Sequence, residues 1–200
     1  PTTNEICFPA AILQPPFFDP EADDAANYGA IGVVIGHEMS HGFDDQGAQF
    51  DKTGNQRNWW TPQDKKNFDA RTKTLADYFS QFEVLPGVKV NGQQTLGENI
   101  GDNGGLNIAF RALQNALKQN PIGVKDGFTP EQRFFLAWAR VWASNATPEY
   151  VKYLLTVDVH SPNYARVNAA LPQIDAWYTA FKIKKGDKMY LPKNKRAHIW

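Results

Sequence analysis

The segment Val34-Ile35-Gly36-His37-Glu38-Met39-Ser40-His41 decides how this chain folds and what chemistry it can carry. The run predicts a helix, and residues four apart on a helix lie on the same face. His37 and His41 can therefore bind one metal ion, while Glu38 lies beside the open coordination position. This H-E-x-x-H spacing is typical of zinc proteases, and it predicts a metal-dependent hydrolase.

The composition limits the size of the protein and its classes of partner. The chain has 200 residues, of which 42% are hydrophobic and 13% aromatic, and we expect one globular domain over residues 1–200. Its 21 basic and 21 acidic residues cancel without long runs of either sign, which argues against a nucleic-acid partner. The longest nearly uncharged apolar run, 28–36, is too short to cross a bilayer, so we expect no direct membrane insertion by this chain. Cys7 stands alone, which excludes an internal disulfide and a cysteine-based zinc cage.

Hydrophobic spacing and cap residues predict a mainly helical α+β chain with a small amount of strand. The pairs Thr61-Pro62 and Thr129-Pro130 indicate helix starts, because threonine caps a first turn and proline fits the first helical position. Gly32 and Gly36 in the first helix indicate the close approach of another backbone. We expect a strand at 4–9, helices at 24–41, 62–82, 96–117, 130–143, 148–157 and 168–181, and a hairpin or loop marked by Pro86-Gly87 and Asn91-Gly92.

A third metal ligand is needed, because a catalytic zinc typically has three protein ligands and one open position. In the metzincin pattern a glycine and a third histidine follow the helix at fixed spacing. Asp44 and Gly47 occupy those two positions, which excludes that class.

The best source of the third ligand is the glycine-rich segment 96–105. Glu98 and Asp102 share one face of its predicted helix, so Glu98 could bind the metal while Asp102 accepts the remaining ring N–H of His37. An acidic pair that only serves the helix dipole is the alternative. His160 is another candidate ligand and His198 a more distant one, and spacing alone does not decide between Glu98 and His160.

Three blocks of the chain carry a family resemblance: 36–45 (GHEMSHGFDD), 97–105 (GENIGDNGG) and 158–162 (DVHSP). In order and approximate spacing they resemble the signature blocks of the neprilysin and endothelin-converting-enzyme family of zinc endopeptidases. The resemblance extends to 8–10 (FPA), 12–18 (ILQPPFF) and the terminal Trp200. Three separate blocks make it much more specific than the H-E-x-x-H motif alone.

The resemblance implies a thermolysin-like (gluzincin) zinc metalloprotease fold that holds one Zn²⁺ per chain. His37, His41 and Glu98 would be the zinc ligands, and Glu38 the general base. The implied activity is hydrolysis of internal peptide bonds in oligopeptides.

The resemblance also implies roles for charged residues around the metal. Asp102 and Asp44 would orient His37 and His41, and Asp102 thereby becomes part of the catalytic set. His160 would face the tetrahedral intermediate, with Asp158 supporting either His160 or Arg166. Arg166 would bind a backbone carbonyl of the substrate next to the scissile bond, a task that suits its fixed fork of donors.

The resemblance further implies an apolar pocket for the residue after the scissile bond, which maps onto six residues, and cleavage on the amino side of hydrophobic residues. Ordinary core packing explains the same spacing, and core is the more frequent role of a generic apolar residue. The six residues are Ile12, Phe17, Val33, Val34, Val141 and Trp142.

The chain departs from the animal members at Ala143 and Ala197, where those proteins carry cysteines. This difference fits a bacterial member whose core is held by packing. A cell-envelope, periplasmic or secreted location is favoured, and a cytoplasmic one stays compatible with a bacterial member.

The chain begins at Pro1 without an initiator methionine, and we expect it to be the C-terminal catalytic portion of a longer protein. Its expected partners are peptide substrates and the missing N-terminal part, which would cap the cleft. Two alternatives stay open: a catalytically incompetent chain that binds zinc, and a gluzincin outside this family.

Overall fold

The computed structural model describes residues 1–199, and Trp200 lies outside the described residues. Helices dominate, and one two-stranded antiparallel sheet joins them, as the sequence predicted. The elements are α1 (Asp24–Asn27), α2 (Val33–Ser40), α3 (Pro62–Phe79), β1 (Glu83–Leu85), β2 (Val88–Lys89), α4 (Leu96–Gln119), α5 (Pro130–Val141), α6 (Pro148–Val157), α7 (Asn163–Asn168) and α8 (Asp175–Phe181). Short 3-10 turns lie at Ala10–Ile12, His41–Phe43, Gly47–Gln49, Leu171–Gln173 and Lys193–Lys195.

The predicted first helix is a continuous helical run, but it is not a regular α-helix throughout. The side chain of Asp23 caps α1 by accepting the backbone N–H of Ala26. A π-helical turn, Tyr28–Gly32, then separates α1 from α2. Within this turn the backbone N–H of Ile31 donates to the carbonyl oxygen of Phe17 at 2.9 Å. The widened turn therefore ties the segment around Phe17 to the helix that carries the histidines.

Helices α2 and α4 pack against each other through glycines. A Cβ added at Gly36 would lie 2.9 Å from the Cα of Gly105, and one added at Gly105 would lie 2.4 Å from the carbonyl oxygen of Val33. Both distances are too short for a real side chain, so the predicted close approach is confirmed at Gly36. At Gly32 a Cβ would meet only ordinary contacts, the nearest at 3.4 Å. The glycine spacing brings the backbone of α4 directly under the metal-site helix.

The threonine-proline helix starts are confirmed. The side chains of Thr61 and Thr129 each accept a backbone N–H of the first turn, and Gln132 completes a capping box with Thr129. Thr147 caps α6 in the same way. The helices α3 and α5 end at Phe79 and Val141, two or three residues earlier than expected.

Two sequence predictions about secondary structure were wrong. Residues 4–9 form no strand, because β-propensity needs a neighbouring strand and the backbone of residues 1–199 supplies none there. The predicted helix 168–181 is not continuous: Asn168 is the last residue of α7, Leu171–Gln173 form a 3-10 turn, and only Asp175–Phe181 form the helix α8. Pro172 lies inside the interruption, where it lacks the N–H that a continuous helix requires. The expected hairpin is present, with Glu83 opposite Lys89.

The core lies under the metal-site helix and is rich in aromatic rings. Phe134, Phe135 and Trp138 of α5 are almost fully buried, and each such side chain stabilises the fold by about 1.5–3 kcal/mol. The indole N–H of Trp138 donates to the carbonyl oxygen of Arg166 at 3.0 Å. This bond attaches the segment that carries Arg166 to the core. None of the helices in residues 1–199 combines the length and apolar character that a membrane span requires.

Candidate active site

Three side chains from two helical segments meet at one place: His37 in α2, His41 directly after α2 and Glu98 in α4. The Nε2 atoms of His37 and His41 are 3.0 Å apart. The Oε2 atom of Glu98 lies 3.1 Å from Nε2 of His37 and 3.6 Å from Nε2 of His41. Donors at zinc-ligand distances in a tetrahedral site are separated by about 3.3 Å. The triangle therefore has the size that a tetrahedral zinc requires.

The outer nitrogens of the two rings are held by carboxylates. Nδ1 of His37 lies 2.9 Å from Oδ1 of Asp102, and Nδ1 of His41 lies 2.7 Å from Oδ2 of Asp44. A carboxylate only accepts hydrogen bonds, so each Nδ1 carries the proton and each neutral ring presents an Nε2 lone pair. When both rings are neutral, two lone pairs and the Glu98 oxygen face one another, so the cluster must take up either a proton or a cation. A cation can accept both lone pairs and the Glu98 oxygen and so removes the repulsion among them. These residues therefore fit a zinc ion.

The electrostatics of the cluster also favour positive charge. Burial opposes the charged form of His37, but hydrogen bonds to Asp102 and Glu98 outweigh it and raise the pKa of His37 to about 9. Burial acts to raise the pKa of Glu98, but hydrogen bonds from His160 and His37 hold it well below its usual range. Asp102 likewise has a lowered pKa, because Arg166 and His37 outweigh its burial. Both carboxylates are therefore ionised at neutral pH.

The carboxylate of Glu38 lies close to the same two histidines. It is half-buried, and one ligand atom from each of His37, Glu38 and His41 lies within 4.8 Å of the others. Two glutamates thus lie near the histidines. Glu98 is the better third ligand, because its oxygen is close to both Nε2 atoms, and this leaves Glu38 available for chemistry. Glu38, His41 and Glu98 line one cleft of about 910 Å³.

His160 lies on the solvent side of Glu98. Its Nε2 atom is 3.0 Å from Oε2 of Glu98, and its Nδ1 atom is 2.9 Å from Oδ1 of Asp158. The hydrogen bond to Glu98 raises the pKa of His160 against the opposing effect of burial, and the bond to Asp158 adds to the increase. Asp158 thus contacts His160 rather than Arg166. An imidazolium can stand next to the metal position.

Arg166 connects the metal cluster to an apolar surface. It is buried, and its Nε and Nη2 atoms donate to Asp102 at 2.9 and 2.6 Å. Its guanidinium carbon lies 3.7 Å from the centre of a Trp142 ring, and Phe17 packs edge-on against Trp142 at 6.4 Å. Within residues 1–199 the Nη1 atom has no hydrogen-bond partner, so one donor is available to a ligand.

The structure separates the six predicted pocket residues into two groups. Val33 has no exposed surface and belongs to the core, so its side chain cannot line an open pocket in this conformation. The other five are half-buried: Ile12, Phe17, Val34, Val141 and Trp142. His198 is exposed, and no hydrogen bond or ion pair joins it to the metal cluster in the part of the chain that the structure describes.

Four polar residues that the sequence patterns did not indicate attach the His160 segment to α4 and to the turn before it. The hydroxyl of Ser161 donates to Oδ1 of Asn99 at 2.7 Å, and both residues are buried. Asn99 in turn donates to the hydroxyl of Thr95, and Gln94 donates to the carbonyl oxygen of Asp158. The sequence did contain a signal for two of them, because Asn99 follows Glu98 in the block 97–105 and Ser161 follows His160 in the block 158–162.

The fold and the cluster of two histidines with a glutamate are typical of the catalytic domains of zinc metalloproteases of the gluzincin type. The chain belongs to peptidase family M13, whose family model matches residues 1–197. It is 42% identical to neprilysin-1 of Caenorhabditis elegans and 43% identical to human endothelin-converting enzyme 1, and both alignments cover the whole chain.

The solved structures agree with this assignment. The crystal structure of Mycobacterium tuberculosis zinc metalloprotease Zmp1 in complex with an inhibitor superposes over the whole chain with a TM-score of 0.96 at 49% identity. The chain covers 31% of that protein chain. It spans 27% and 26% of the nematode and human relatives, about a quarter of their length.

Proposed function

We propose that residues 1–200 form the catalytic domain of a zinc endopeptidase that hydrolyses internal peptide bonds of oligopeptides. The observation that carries the proposal is the convergence of two Nε2 lone pairs and the Glu98 oxygen, with Glu38 beside them. Such an arrangement needs a metal and places a carboxylate at its open side. His37, His41 and Glu98 would hold one zinc per chain.

Zinc bound there would lower the pKa of a coordinated water and polarise the scissile carbonyl. Glu38 then accepts the proton of the attacking water and delivers it to the leaving amine. Contacts with Glu98 and Asp158 favour the imidazolium form of His160, which would stabilise the oxyanion that develops on the substrate. No covalent link between protein and substrate is required.

The surrounding residues orient the ligands and the peptide. Asp102 and Asp44 fix the ring tautomers of His37 and His41, which raises the basicity of both ligands. Arg166 holds Asp102 in place and offers Nη1 to a backbone carbonyl of the substrate. The neighbouring Phe17 and Trp142 supply an apolar surface, and we infer cleavage on the amino side of hydrophobic residues.

The test compares the zinc-loaded parent protein with its Glu38→Gln variant on a quenched fluorescent peptide, with and without a chelator. We expect the variant to keep its zinc and to lose about 10²–10⁴-fold in kcat, the usual contribution of a general base. The matched control is Glu149→Gln, which changes an exposed glutamate of α6.

Chelator-insensitive cleavage, or equal cleavage by the Glu38 variant, would contradict this mechanism. Stoichiometric zinc without any cleavage by the parent protein would instead favour a zinc-binding function.

A further inference from the structure

Three large apolar side chains stand exposed on one side of the catalytic cleft. Met39, Phe43 and Trp59, here called the aromatic wall, are 51%, 49% and 42% exposed. The three residues line one cleft, and exposed apolar side chains grouped in this way often mark a binding site. Met39 follows Glu38 directly in the sequence, and Phe43 lies two residues after His41.

The two rings of the aromatic wall, Phe43 and Trp59, are packed into the fold. The ring of Phe43 packs edge-on against Trp59, with centroids 6.3 Å apart. The indole N–H of Trp59 donates to the carbonyl oxygen of Phe50 at 2.8 Å, and the ring contacts Trp60 at 5.1 Å. Trp60 packs in turn on the buried Phe68. A ladder of rings therefore connects the exposed wall to the core, and little side-chain entropy would be lost when a ligand binds.

The aromatic wall and the reacting groups line the same cleft. Its lining includes the three wall residues as well as Glu38, His41 and Glu98. It includes neither Phe17 nor Trp142, which reach the metal cluster from the side of His37 through Arg166 and Asp102. The two apolar surfaces thus approach the metal position from different sides.

We propose that the aromatic wall binds an apolar side chain of the peptide substrate on the amino-terminal side of the scissile bond, opposite the Phe17–Trp142 surface. The inference rests on the proposed function. A peptide whose scissile carbonyl lies beside Glu38 must continue through the cleft that the wall lines. Successive side chains of an extended peptide point to opposite faces, so one wall selects one residue of the substrate. The wall would therefore determine specificity without taking part in proton transfer.

The experiment uses the zinc-loaded parent protein and two quenched fluorescent peptides that differ only in the residue before the scissile bond, leucine in one and serine in the other. We expect the wild type to cleave the leucine peptide with a kcat/KM about tenfold higher, since an apolar side chain in a fitted pocket gives 10–200-fold discrimination. Phe43→Ala should lower kcat/KM for the leucine peptide about tenfold, mainly through KM, and leave the serine peptide within twofold. Phe43→Leu should restore most of the preference.

The matched control is Tyr153→Ala, which removes an exposed aromatic ring from α6 outside the cleft and should leave both values unchanged. A leucine-to-serine ratio that Phe43→Ala leaves intact would overturn the inference. Lower thermal stability with an intact ratio would overturn it too, because another segment of the parent protein would then cover the wall. A wild type that cleaves neither peptide contradicts the proposed function itself, whereas cleavage with an unaltered ratio contradicts only the subsite.

Discussion

His37 and His160 each pair with a carboxylate beside Glu98, but in opposite surroundings. The side chains of His37 and Asp102 are 6% and 2% exposed, and Arg166 neutralises Asp102 from behind. The side chains of His160 and Asp158 are 42% and 35% exposed. The first pair is enclosed by α2, α4 and the core, whereas the second lies on a loop between α6 and α7.

The difference in burial indicates different tasks for the two pairs. The buried pair suits a residue whose position must stay fixed, and the exposed pair suits a residue that responds to the substrate. In the buried pair, every proton position is fixed by a partner that solvent cannot replace, which suits a ligand whose geometry must not change. In the exposed pair, water can compete for the hydrogen bonds, so the interaction is weaker and the ring can adjust as charge develops on a substrate. In the proposed mechanism, the same residue types would therefore orient a metal ligand on one side and contact the substrate on the other.

The largest expected effect comes from breaking the buried pair. Asp102→Ala leaves the Arg166 guanidinium buried without its partner, and removing one member of such a pair costs about 3–5 kcal/mol. The same change releases Nδ1 of His37, so zinc affinity should fall about 10–100-fold. Chemical denaturation and competitive zinc titration measure the two losses.

The matched variant is Asp158→Ala, which removes the exposed partner of His160. We expect a loss of stability below about 1 kcal/mol and little change in zinc affinity, because exposed pairs contribute little. Equal losses in the two variants would show that burial does not distinguish the two sides of the site.

A smaller effect should follow from changing the helix spacing that encloses the buried pair. The Cβ of Gly105→Ala would lie 2.4 Å from the Val33 carbonyl oxygen and 2.8 Å from the backbone nitrogen of His37. Backbone must move to accept it, so we expect a loss of about 1–3 kcal/mol and weaker zinc binding. In Gly123→Ala the added carbon meets nothing within 4 Å, and this control should change stability by less than about 0.5 kcal/mol. A stable Gly105 variant with full zinc affinity would show that α2 and α4 can separate freely.

The smallest expected effect on zinc binding among the changes that disturb buried contacts concerns the attachment of the exposed side. Ser161→Ala removes the hydroxyl that Asn99 accepts, which should cost about 1–3 kcal/mol because a buried oxygen loses its partner. We expect kcat to fall several-fold through misplacement of His160, with KM and zinc affinity unchanged. Ser144→Ala removes a hydroxyl that accepts an exposed hydrogen bond from Asn163, and it serves as the control. If kcat stays at the wild-type value in Ser161→Ala, the bond does not position His160.

The sequence predicted the local features of the fold well, because short-range chemistry determines them. The Thr61 and Thr129 caps and the contact of Gly36 with another backbone all follow from residue type and spacing. The segment 4–9 was predicted as a strand, yet a strand depends on a neighbour that its own residues cannot supply. Pro172 was a visible helix-breaking signal that the apolar spacing of 168–181 obscured.

The candidate site divides in the same way. The two histidines and Glu38 lie on one continuous helical run, so their spacing alone brings them together. Glu98 against His160 could not be decided from spacing, since that choice depends on how α4 and the loop after α6 are placed in three dimensions. The Asn99–Ser161 bond joins residues 62 positions apart, and no periodicity encodes it.

The π-helical turn before α2 makes a local opening of the structure measurable through the exchange of one amide proton. The amide of Ile31 donates to the Phe17 carbonyl oxygen, so we expect its proton to exchange with solvent when the Phe17 segment separates from the helix. The exchange rate of that single amide would therefore measure how often the Phe17 segment, which forms part of the Phe17–Trp142 surface, separates from the helix. Deletion of one residue within 28–32 would restore a regular helix and remove the bond between Ile31 and Phe17. The slow exchange of the Ile31 amide that depends on this bond would then be lost.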